Sequence, residues 1–418
     1  MKDKTEAKTG YKKTKLGWIP EEWEILKLSN ILKEGTLGGN FENNETFTGL
    51  PLIKMGNIGR GRIKLEKVEK VPKSIDFDEE HILKEGDFLF NTRNTLDLVG
   101  KVAVWRNEIP KALYNSNLMR MTFDNKKVYS NYFMSYFFNS YNGLRQLKSF
   151  AIGTTSVAAI YTRDLIKLTI PLPPLPEQQK IAQILSTWDR AIEKTEQLIA
   201  AKEKLKKGLM QQLLSGKRRF RKFKRSKWRK VKIGNFGKVI TGNTPSKAKQ
   251  EYWGGNFSWA TAHDLKNKYV INTTEKITEK GKSVSRMLPK GSVLVTCIAS
   301  IGLNAIAGEN LATNQKINSI IVDEQFDNEF VYYIIEFNKN KLIAWAGITA
   351  LPILNKKSFE KLPIVVPENK NEQVKISQTL LSCDKEIELL KQKLKILNQQ
   401  KKGLMQVLLT GRKRVETQ

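Results

Sequence analysis

The stretch GLMQQLLSGKRRF at residues 208–220 recurs as GLMQVLLTGRKRV at residues 403–415, an offset of 195 residues. At the same offset, residues 177–220 align with residues 372–415 without a gap, and 20 of the 44 positions are identical. Chance does not produce a match of this length. The chain therefore contains an internal duplication, and the repeated segment is a structural unit used twice.

Apolar residues in both copies recur at steps of four and three residues, the heptad spacing of helices that pack along a shared seam. PLPPLP at 171–176 and Pro367 precede the copies, while Gly216 and Gly411 follow them, as helix start and stop signals do,. We expect two helices of about 35–40 residues, packed on each other as an antiparallel coiled coil. The alternative is that each helix docks separately onto its own globular neighbour. The predicted seam residues are Ile181, Leu185, Trp188, Ile192, Ile199, Leu209, Leu213, Ile376, Leu380, Cys383, Ile387, Leu390, Leu394, Leu397, Leu404 and Leu408.

Polar residues interrupt this seam in the first copy. Thr195, Lys202 and Lys206 stand at the positions where the second copy has Leu390, Leu397 and Lys401. A lysine stem can lie along an apolar seam while its amine reaches a polar environment.

The segments before the two helices also match each other, at an offset of 205 residues. Trp23 matches Trp228, and LKEGDFLFN at 83–91 matches LPKGSVLVT at 288–296. Short strand-like runs such as DFLFN and INSIIV alternate with turns and a few helical stretches. The sequence predicts an α+β fold with a pseudo-two-fold internal repeat: two similar mixed α/β domains separated by two long helices. The predicted boundaries are 1–175 for the first domain, 176–220 for the first helix, 221–370 for the second domain and 371–418 for the second helix.

The charge of the chain is strongly positive. Lys and Arg number 72 against 42 Asp and Glu, a formal net charge of +30. DNA or RNA is the natural partner of such a surface, because phosphate neutralisation supplies most non-specific affinity. A solvated basic surface without a polyanion is the alternative.

The chain has few residues that could form disulfides or bind metal. The two cysteines, Cys297 and Cys383, are too few for a disulfide framework, so we predict a reducing compartment,. With only His81 and His263 they form no cluster of metal ligands, so we predict no metal site,. The N-terminal stretch lacks an apolar signal region, and no apolar run is long enough to span a bilayer. These features predict a cytoplasmic protein without a membrane segment.

Catalytic motifs are missing from the sequence. GKS at 281–283 resembles the end of a phosphate loop, but Lys276 stands where the loop needs glycine,. DEEH at 78–81 resembles a helicase box, but such a box needs a nucleotide held by a phosphate loop, and the sequence has no such loop,. The sequence also has neither a glycine-rich motif for a methyl-donor cofactor nor an Asn-Pro-Pro-Tyr box. No Ser, His, Asp set or nuclease carboxylate cluster stands out. We predict a protein without catalytic residues or cofactors.

The repeated segments resemble a known family. IPLPPLPEQQKIAQILSTWDRAIEKTEQLIAAKEKLKKGLMQQLLSGKRRF, with its second copy after Val366, closely resembles the spacer helices of the specificity subunit of type I restriction-modification systems. DFLFNTRNTLDLVGKVAV at 87–104 resembles a common segment of that family's target recognition domains. The resemblance covers nearly the whole chain and is most specific in the helices.

The resemblance implies a DNA-binding subunit with no activity of its own. Each recognition domain would read one half of an asymmetric bipartite site in double-stranded DNA, and the spacer helices would fix the gap between the halves. Two DNA adenine methyltransferase (modification) subunits would dock on this subunit, and restriction or translocase subunits would complete an ATP-dependent endonuclease. Duplicating one domain and one helix would present two different readers to one duplex and recruit the same enzyme to each.

Polar residues on glycine-containing loops are the candidates for DNA contact, because Arg, Lys, Asn, Gln, Ser and Thr read base edges or hold phosphates. The first domain offers KMGNIGRGRIK at 54–64, NTRNT at 91–95 and GTTS at 153–156, and the second offers TAHDLKNK at 261–268 and ATNQK at 312–316. The alternative for each is an ordinary surface turn. The predicted contacts are Lys54, Asn57, Arg60, Arg62, Arg93, Asn94, Thr95, Thr154, Thr155, Thr261, His263, Asp264, Lys266, Asn314 and Gln315.

Three questions stay open at this point. The basic run GKRRFRKFKRSKWRK at 216–230 either clamps phosphates or is a solvated linker,. The chain as a whole could instead target a different effector to DNA. It could also be an architectural DNA-binding protein, although such proteins rarely need two different readers.

Overall fold

The computed structural model describes residues 9–347 and 352–417. The chain forms two compact units: the first contains the described residues up to 196 and those from 393 onward, and the second contains those between 197 and 392. Each unit holds one globular domain together with parts of two long helices.

The first globular domain mixes short strands with small helices. Its strands are β1 (Tyr11–Thr14), β2 (Gly17–Pro20), β3 (Glu24–Lys27), β4 (Leu32–Leu37), β5 (Pro51–Ile53), β6 (Glu69–Lys70), β7 (Phe88–Asn91), β8 (Arg93–Asn94), β9 (Val102–Val104), β10 (Leu113–Tyr114), β11 (Leu118–Phe123), β12 (Ile152–Gly153), β13 (Ala158–Ala159) and β14 (Thr169–Leu172). Its α-helices are α1 (Asn131–Phe138), α2 (Tyr141–Phe150) and α3 (Thr162–Leu165), and 3-10 turns lie at Leu28–Asn30 and Glu79–His81.

The main sheet of this domain is covered on both faces. Its strands run in the order β4-β11-β7-β9, and a second sheet has the order β10-β5-β6. Phe88 and Phe90 of β7 pack with Phe138 of α1, whereas Leu89 packs into a separate cluster with Trp105. Because successive strand residues point to opposite faces, a strand covered on both sides needs apolar residues on both, which explains the run FLF at 88–90,.

The second globular domain follows the first long helix, α4 (Leu175–Leu213). Its strands are β15 (Trp228–Lys232), β16 (Gly237–Thr241), β17 (Trp253–Ala260), β18 (Tyr269–Val270), β19 (Glu275–Ile277), β20 (Met287–Leu288), β21 (Val293–Thr296), β22 (Asn304–Ala307), β23 (Leu311–Thr313), β24 (Ile317–Val322) and β25 (Pro363–Pro367). Its α-helices are α5 (Glu279–Ser283), α6 (Asn328–Phe337), α7 (Lys339–Trp345) and α8 (Lys356–Lys361), and 3-10 turns lie at Arg221–Phe223, Ile233–Phe236, Gln250–Tyr252 and Ala262–Asp264. The second long helix is α9 (Lys370–Leu408).

The two domains share one topology. The order β4-β11-β7-β9 returns as β16-β24-β21-β22, with β18 added at the edge, and β10-β5-β6 returns as β23-β17-β19. Even the parallel pair is repeated, with Leu113 opposite Leu52 in the first domain and Ala312 opposite Trp259 in the second. The prediction of two similar mixed α/β domains is therefore confirmed.

The long helices pack antiparallel in each unit. In the first unit, Glu177 of α4 binds Arg414 and Asp189 of α4 binds Lys401 of α9. Residue numbers rise along one segment as they fall along the other, so the two segments run in opposite directions. In the second unit, Lys202 and Lys206 of α4 meet Glu386 and Asp384 of α9, again in opposite order. Every predicted seam residue is buried or half-buried, but not all of them pack between the helices. The outer ends of the helices also dock onto the globular domains, as the alternative proposed, through Ile181, Leu185, Leu213, Ile376, Leu380 and Leu408. The predicted antiparallel coiled coil is confirmed.

The polar residues that interrupt the seam are satisfied by local partners. Thr195 is buried and its hydroxyl donates to the Ala191 carbonyl at 2.7 Å. Lys202 pairs with Glu386 at 2.7 Å, and Lys206 pairs with Asp384. These lysines bind carboxylates on α9 instead of only lying along an apolar surface.

The repeated GLMQ phrase ends each long helix inside a domain core. Leu213 and Leu214 join the core of the second unit, and Leu408 and Leu409 join that of the first. Gly216 and Gly411 then adopt positive φ values of 72° and 66°, which glycine tolerates best and which ends a helix, as predicted,. In the part of the chain that the structure describes, no helix has both the length and the apolar character to cross a bilayer.

Candidate DNA interface

Polar loops of the first domain meet at one edge, where several strands end. The N–H of Asn115 donates to the Ile53 carbonyl at 3.0 Å, and the N–H of Thr92 donates to the Asn117 carbonyl at 3.0 Å. The N–H of Ile160 in turn donates to the Thr92 carbonyl at 2.9 Å. These bonds bring together the loops that follow β5, β10 and β7 and the segment that follows β13. We call this surface the first polar edge.

The second domain repeats the same bonds at its own strand ends. The N–H of Asn314 donates to the Ala260 carbonyl at 3.0 Å, and the N–H of Cys297 donates to the Lys316 carbonyl at 2.8 Å. The N–H of Leu354 donates to the Cys297 carbonyl at 2.8 Å. The loops after β17, β23 and β21 thus form a second polar edge on an equivalent scaffold.

A further loop joins each edge through a glycine. The N–H of Gly38 donates to the Leu118 carbonyl, and that of Gly242 donates to the Ile317 carbonyl, both at 3.1 Å. A Cβ on Gly38 would lie 2.1 Å from the Tyr114 oxygen, and one on Gly242 would lie 2.2 Å from the Thr313 oxygen. Only glycine permits this close approach. The loops that begin at residues 39 and 243 were not predicted from the sequence, although the pairing of TLGGN with ITGNT could have indicated them.

The structure brings several predicted residues of the first domain together. The guanidinium of Arg60 donates to the Asp97 carbonyl at 3.1 Å, which ties the 54–64 loop to the segment after β8. Arg93 pairs with Ala159 across β8 and β13, and the N–H of Leu96 reaches the Thr155 carbonyl at 3.3 Å. One cluster on the first polar edge therefore contains the exposed residues Arg60, Arg93, Thr154 and Thr155 and the half-buried residues Asn94 and Thr95.

Two other predicted basic residues are held by carboxylates. The Lys54 amine lies 2.9 Å from Glu69 Oε2 and 2.8 Å from Asn43 Oδ1. Arg62 donates from one nitrogen to both oxygens of Glu196 on α4, at 2.8 and 3.0 Å. Each carboxylate offsets part of the positive charge that a phosphate would otherwise meet.

Asn57 and Asp264 brace their own loops in equivalent ways. The N–H of Lys54 donates to Asn57 Oδ1 at 2.9 Å, and the N–H of Thr261 donates to Asp264 Oδ2 at 2.8 Å. Asn57 is only 6% exposed, and its amide also donates to the carbonyls of Lys64 and Lys67. Bracing is a different role from the base contact predicted from the sequence, because these side-chain oxygens are already hydrogen-bonded to backbone groups of their own loops,.

Hydrogen bonds set the protonation of Asp264. Burial raises the pKa of its carboxyl, but the hydrogen bonds that it accepts from Thr261 and Thr274 outweigh this effect and place the pKa below its ordinary value,. The carboxylate form is thus the form that shapes the 261–274 loop.

The remaining predicted residues of the second domain are more accessible. His263 and Lys266 are exposed, and their Nε2 and Nζ atoms lie 3.0 Å apart. Gln315 is exposed and accepts a hydrogen bond from the Thr244 hydroxyl, which links the 243 loop to the ATNQK loop. The side chain of Asn314 turns back to accept the Lys316 N–H at 3.0 Å.

The repeated Glu-Gln pair at the start of each long helix joins that helix to its domain. Trp23 Nε1 donates to Glu177 Oε2 at 3.0 Å, and Trp228 Nε1 donates to Glu372 Oε1 at 3.4 Å. Arg414 Nε and Arg219 Nε each donate to the same glutamates at 2.8 Å. The Glu177 and Glu372 side chains are 3% and 1% exposed, so each carboxylate needs these partners to be stable,.

The glutamines complete these joints. Gln178 Oε1 accepts the Tyr129 N–H at 2.9 Å, and Gln373 Oε1 accepts the Asp327 N–H at 3.1 Å. Their amides donate to the Pro173 and Pro367 carbonyls. Each glutamine therefore ties its long helix to the loop that leads into α1 or α6.

These features define a class of protein with two copies of one recognition scaffold, each with its own polar edge and each joined to two long helices. The type I restriction modification DNA specificity domain matches this chain twice, at residues 20–203 and 225–399. The chain therefore belongs to the type I restriction-modification DNA specificity family.

Known proteins resemble this chain over nearly its full length. A Methanocaldococcus jannaschii protein assigned as the MjaX type I restriction enzyme specificity subunit is 30% identical, with 97% of each chain covered. The crystal structure of a type I restriction-modification S subunit from M. genitalium matches with a TM-score of 0.61 at 15% identity, over 92% of this chain and 96% of that one. A chain from a structural study of type I R-M complex assembly and conformational transition matches with a TM-score of 0.55 at 14% identity, over 94% of this chain and 99% of that one. At these identities the structural likeness shows the fold.

Proposed function

We propose that this chain is the non-catalytic specificity subunit that directs a type I restriction-modification complex to an asymmetric, bipartite DNA site. Each recognition domain reads one half of the site through its polar edge. The long helices set the gap between the halves and dock the modification subunits. The domain boundaries proposed for this division of labour are 1–175, 176–220, 221–370 and 371–418.

The observation that carries this proposal is that equivalent scaffolds present different side chains. Arg93 and Asn94 follow β7 in the first domain, whereas Ile298 and Ala299 follow β21 in the second. Ser116 in the first domain corresponds to Gln315 in the second, since Asn115 and Asn314 make the same backbone bond. Two edges with different donors and acceptors favour two different base sequences.

The proposed partners follow from charge and family membership. A net charge of +30 favours binding to the phosphate backbone,. Two DNA adenine methyltransferase subunits would supply the methyl-donor site and methylate adenines, and restriction subunits would supply ATP-driven translocation and cleavage. This chain would contribute recognition and no active site of its own.

The test compares the positions of methylated adenines in the genomes of two bacterial hosts. A bacterial host free of DNA methylation expresses this chain with a type I modification subunit from the same genome, and the control host expresses the modification subunit alone. Adenine methylation at one gapped, asymmetric motif, present only with this chain, is the expected result. If the two proteins are soluble and associated but no motif is methylated, the restriction-modification role is wrong and another effector must be sought.

A further inference from the structure

A tyrosine, an aspartate and a lysine join three helices in the first unit. The Tyr136 hydroxyl of α1 donates to Asp189 Oδ2 of α4 at 2.6 Å, and the Lys401 amine of α9 binds Asp189 Oδ1. Tyr136 is 5% exposed, and the side chains of Asp189 and Lys401 are 20% and 18% exposed. One carboxylate thus holds the globular domain and both long helices at a single point.

The second unit contains the same arrangement. Tyr333 of α6 donates to Asp384 of α9, and Lys206 of α4 binds the other oxygen of that carboxylate. Lys268 adds a hydrogen bond to the Tyr333 hydroxyl at 2.8 Å and an ion pair to Glu329. The two helices exchange roles between the units. In the first unit the aspartate lies on α4 and the lysine on α9, whereas in the second unit the aspartate lies on α9 and the lysine on α4.

The tyrosines are built to act as donors. Burial and the neighbouring Asp189 carboxylate raise the pKa of Tyr136, and burial and Asp384 raise the pKa of Tyr333. Each phenol therefore keeps its proton at any physiological pH. A neutral phenol facing a charged carboxylate makes a short, directional hydrogen bond.

Each aspartate lies twelve residues beyond the buried glutamate on the same helix, at Glu177 and Asp189 or at Glu372 and Asp384. At about 1.5 Å per residue the two attachment points are about 18 Å apart. Apolar contacts of Ile181, Leu185 and Leu408 with the core also hold the first domain on the helices, but such contacts have little directional preference,. Two attachments separated along the helix fix both the position and the orientation of the domain on that helix.

The orientation of a recognition domain matters because DNA is helical, so a half-site that moves along the duplex also rotates about its axis. Lengthening the gap by one base pair moves one half-site by about 3.4 Å and rotates it by about 35° relative to the other. A domain with both polar attachments resists this rotation, whereas a domain that has lost one of them can turn further toward it.

We propose that Tyr136, Asp189 and Lys401, together with Tyr333, Asp384 and Lys206, are positioning residues that hold each recognition domain in one orientation and so restrict the gap length that the protein accepts. This inference rests on the proposed function and goes beyond it, since it assigns gap stringency to the joints as well as to the length of the helices.

The experiment measures methylation of duplexes whose gap is the native length, one base pair shorter or one base pair longer. The full chain is used in complex with its modification subunits. The test variant is the double substitution Tyr136→Phe with Tyr333→Phe, which removes both hydroxyls and keeps the rings. The matched control is Tyr132→Phe with Tyr332→Phe, which removes hydroxyls from half-buried tyrosines of the same two helices, α1 and α6.

The test variant is expected to keep its methylation of the native gap within a few fold. Its ratio of altered-gap to native-gap methylation is expected to rise about tenfold, which corresponds to about 1.4 kcal/mol, while the control keeps the wild-type ratio. A general loss of stability would lower methylation at every gap in parallel and leave the ratio unchanged. That result, or equal ratios in the test and control variants, would overturn the inference.

A second variant allows the same test if the first variant fails to fold. Lys206→Met with Lys401→Met removes the other contact of each carboxylate, and it is expected to raise the same ratio. If neither variant changes the ratio while wild type methylates one gapped motif, the joints have no role in gap choice although the proposed function holds. If wild type methylates no gapped motif, the proposed function fails, and this inference fails with it.

Discussion

Trp23 Nε1 lies 3.0 Å from Glu177 Oε2, and this hydrogen bond joins the first globular domain to the beginning of α4. The Arg414 guanidinium binds the same carboxylate, and its hydrogen bonds to Glu177 and Glu22 raise the pKa of Arg414. A buried carboxylate is costly unless it is paired and hydrogen-bonded, so its partners must be present together. The chain makes the same arrangement again with Trp228, Glu372 and Arg219.

Removing this carboxylate should destabilise the first unit. Glu177→Ala leaves the Trp23 indole without its acceptor and Arg414 without its partner, and Arg414 is partly exposed, so water compensates in part. The free energy of unfolding is expected to fall by about 2–3 kcal/mol in urea denaturation. Lys194→Ala, at an exposed position of the same helix, serves as the control and should change it by less than about 0.5 kcal/mol,. Equal effects of the two substitutions would contradict the role assigned to Glu177.

Acid should loosen the 261–274 loop of the second domain. The pKa of Asp264 is lower in the folded protein than in the unfolded chain, so its contribution to stability is full above the unfolded value of about 4 and is lost as pH falls through the folded value,. Unfolding of wild type and of Asp264→Asn is compared between pH 6 and acid. Asn cannot titrate, so the difference in stability should shrink below about pH 4. A constant difference across this range would contradict the assigned cause.

The close-approach glycines should not tolerate a methyl group. Gly38→Ala and Gly242→Ala place a Cβ against a backbone oxygen that cannot move freely, so each should destabilise its unit by about 2 kcal/mol or more and reduce methylation,. Gly208→Ala is the control, because a Cβ there meets nothing within 4 Å and the residue lies inside α4. Helix propensity predicts that this control stabilises the protein by about 0.5–1 kcal/mol. Thermal unfolding distinguishes these outcomes, and a tolerated Gly38→Ala would show that the first edge is not built as described.

Substitutions on the two polar edges should affect different halves of the DNA site. Arg93→Ala should relax or weaken only the half read by the first domain, and Gln315→Ala only the other half, each by about 1–3 kcal/mol per lost base contact. Arg62→Ala should have a smaller effect than Arg93→Ala, since Arg62 is bound to Glu196. The methylomes of the variants give base preferences at each position of the motif. If one substitution relaxed both halves equally, the assignment of one domain to each half would be wrong.

The long helices and their buried face could be predicted from the sequence because the pattern is local and the duplication doubles the signal. The spacing of Ile376 and Leu380 predicts that both lie on one buried face, but it does not show that this face packs into the core of the second domain,. The ion pairs of Lys202 and Lys206 could not be predicted in this way. Their partners, Glu386 and Asp384, are distant in sequence and become neighbours only once the helices are antiparallel.

The polar edges were predicted only in part, for a similar reason. NTRNT and ATNQK were found because glycine-rich or polar loops stand out in a sequence, whereas the loops at 39 and 243 reach the edges through long-range backbone bonds of Gly38 and Gly242. Composition also cannot separate a residue that braces its loop from one that faces outward. Asn57 and Arg93 look equally suitable as base readers, yet one is buried by its own loop and the other is exposed.

The central claim is that each recognition domain reads one half of a bipartite site. The most direct test measures methylation, by this chain and its modification subunits, of three duplexes: one with the full site, one with the first half scrambled and one with the second half scrambled. Each scrambled duplex is expected to lose methylation by about a hundredfold or more, since several mismatched base pairs each cost about 1–3 kcal/mol. Methylation that survives the scrambling of either half unchanged would contradict the claim.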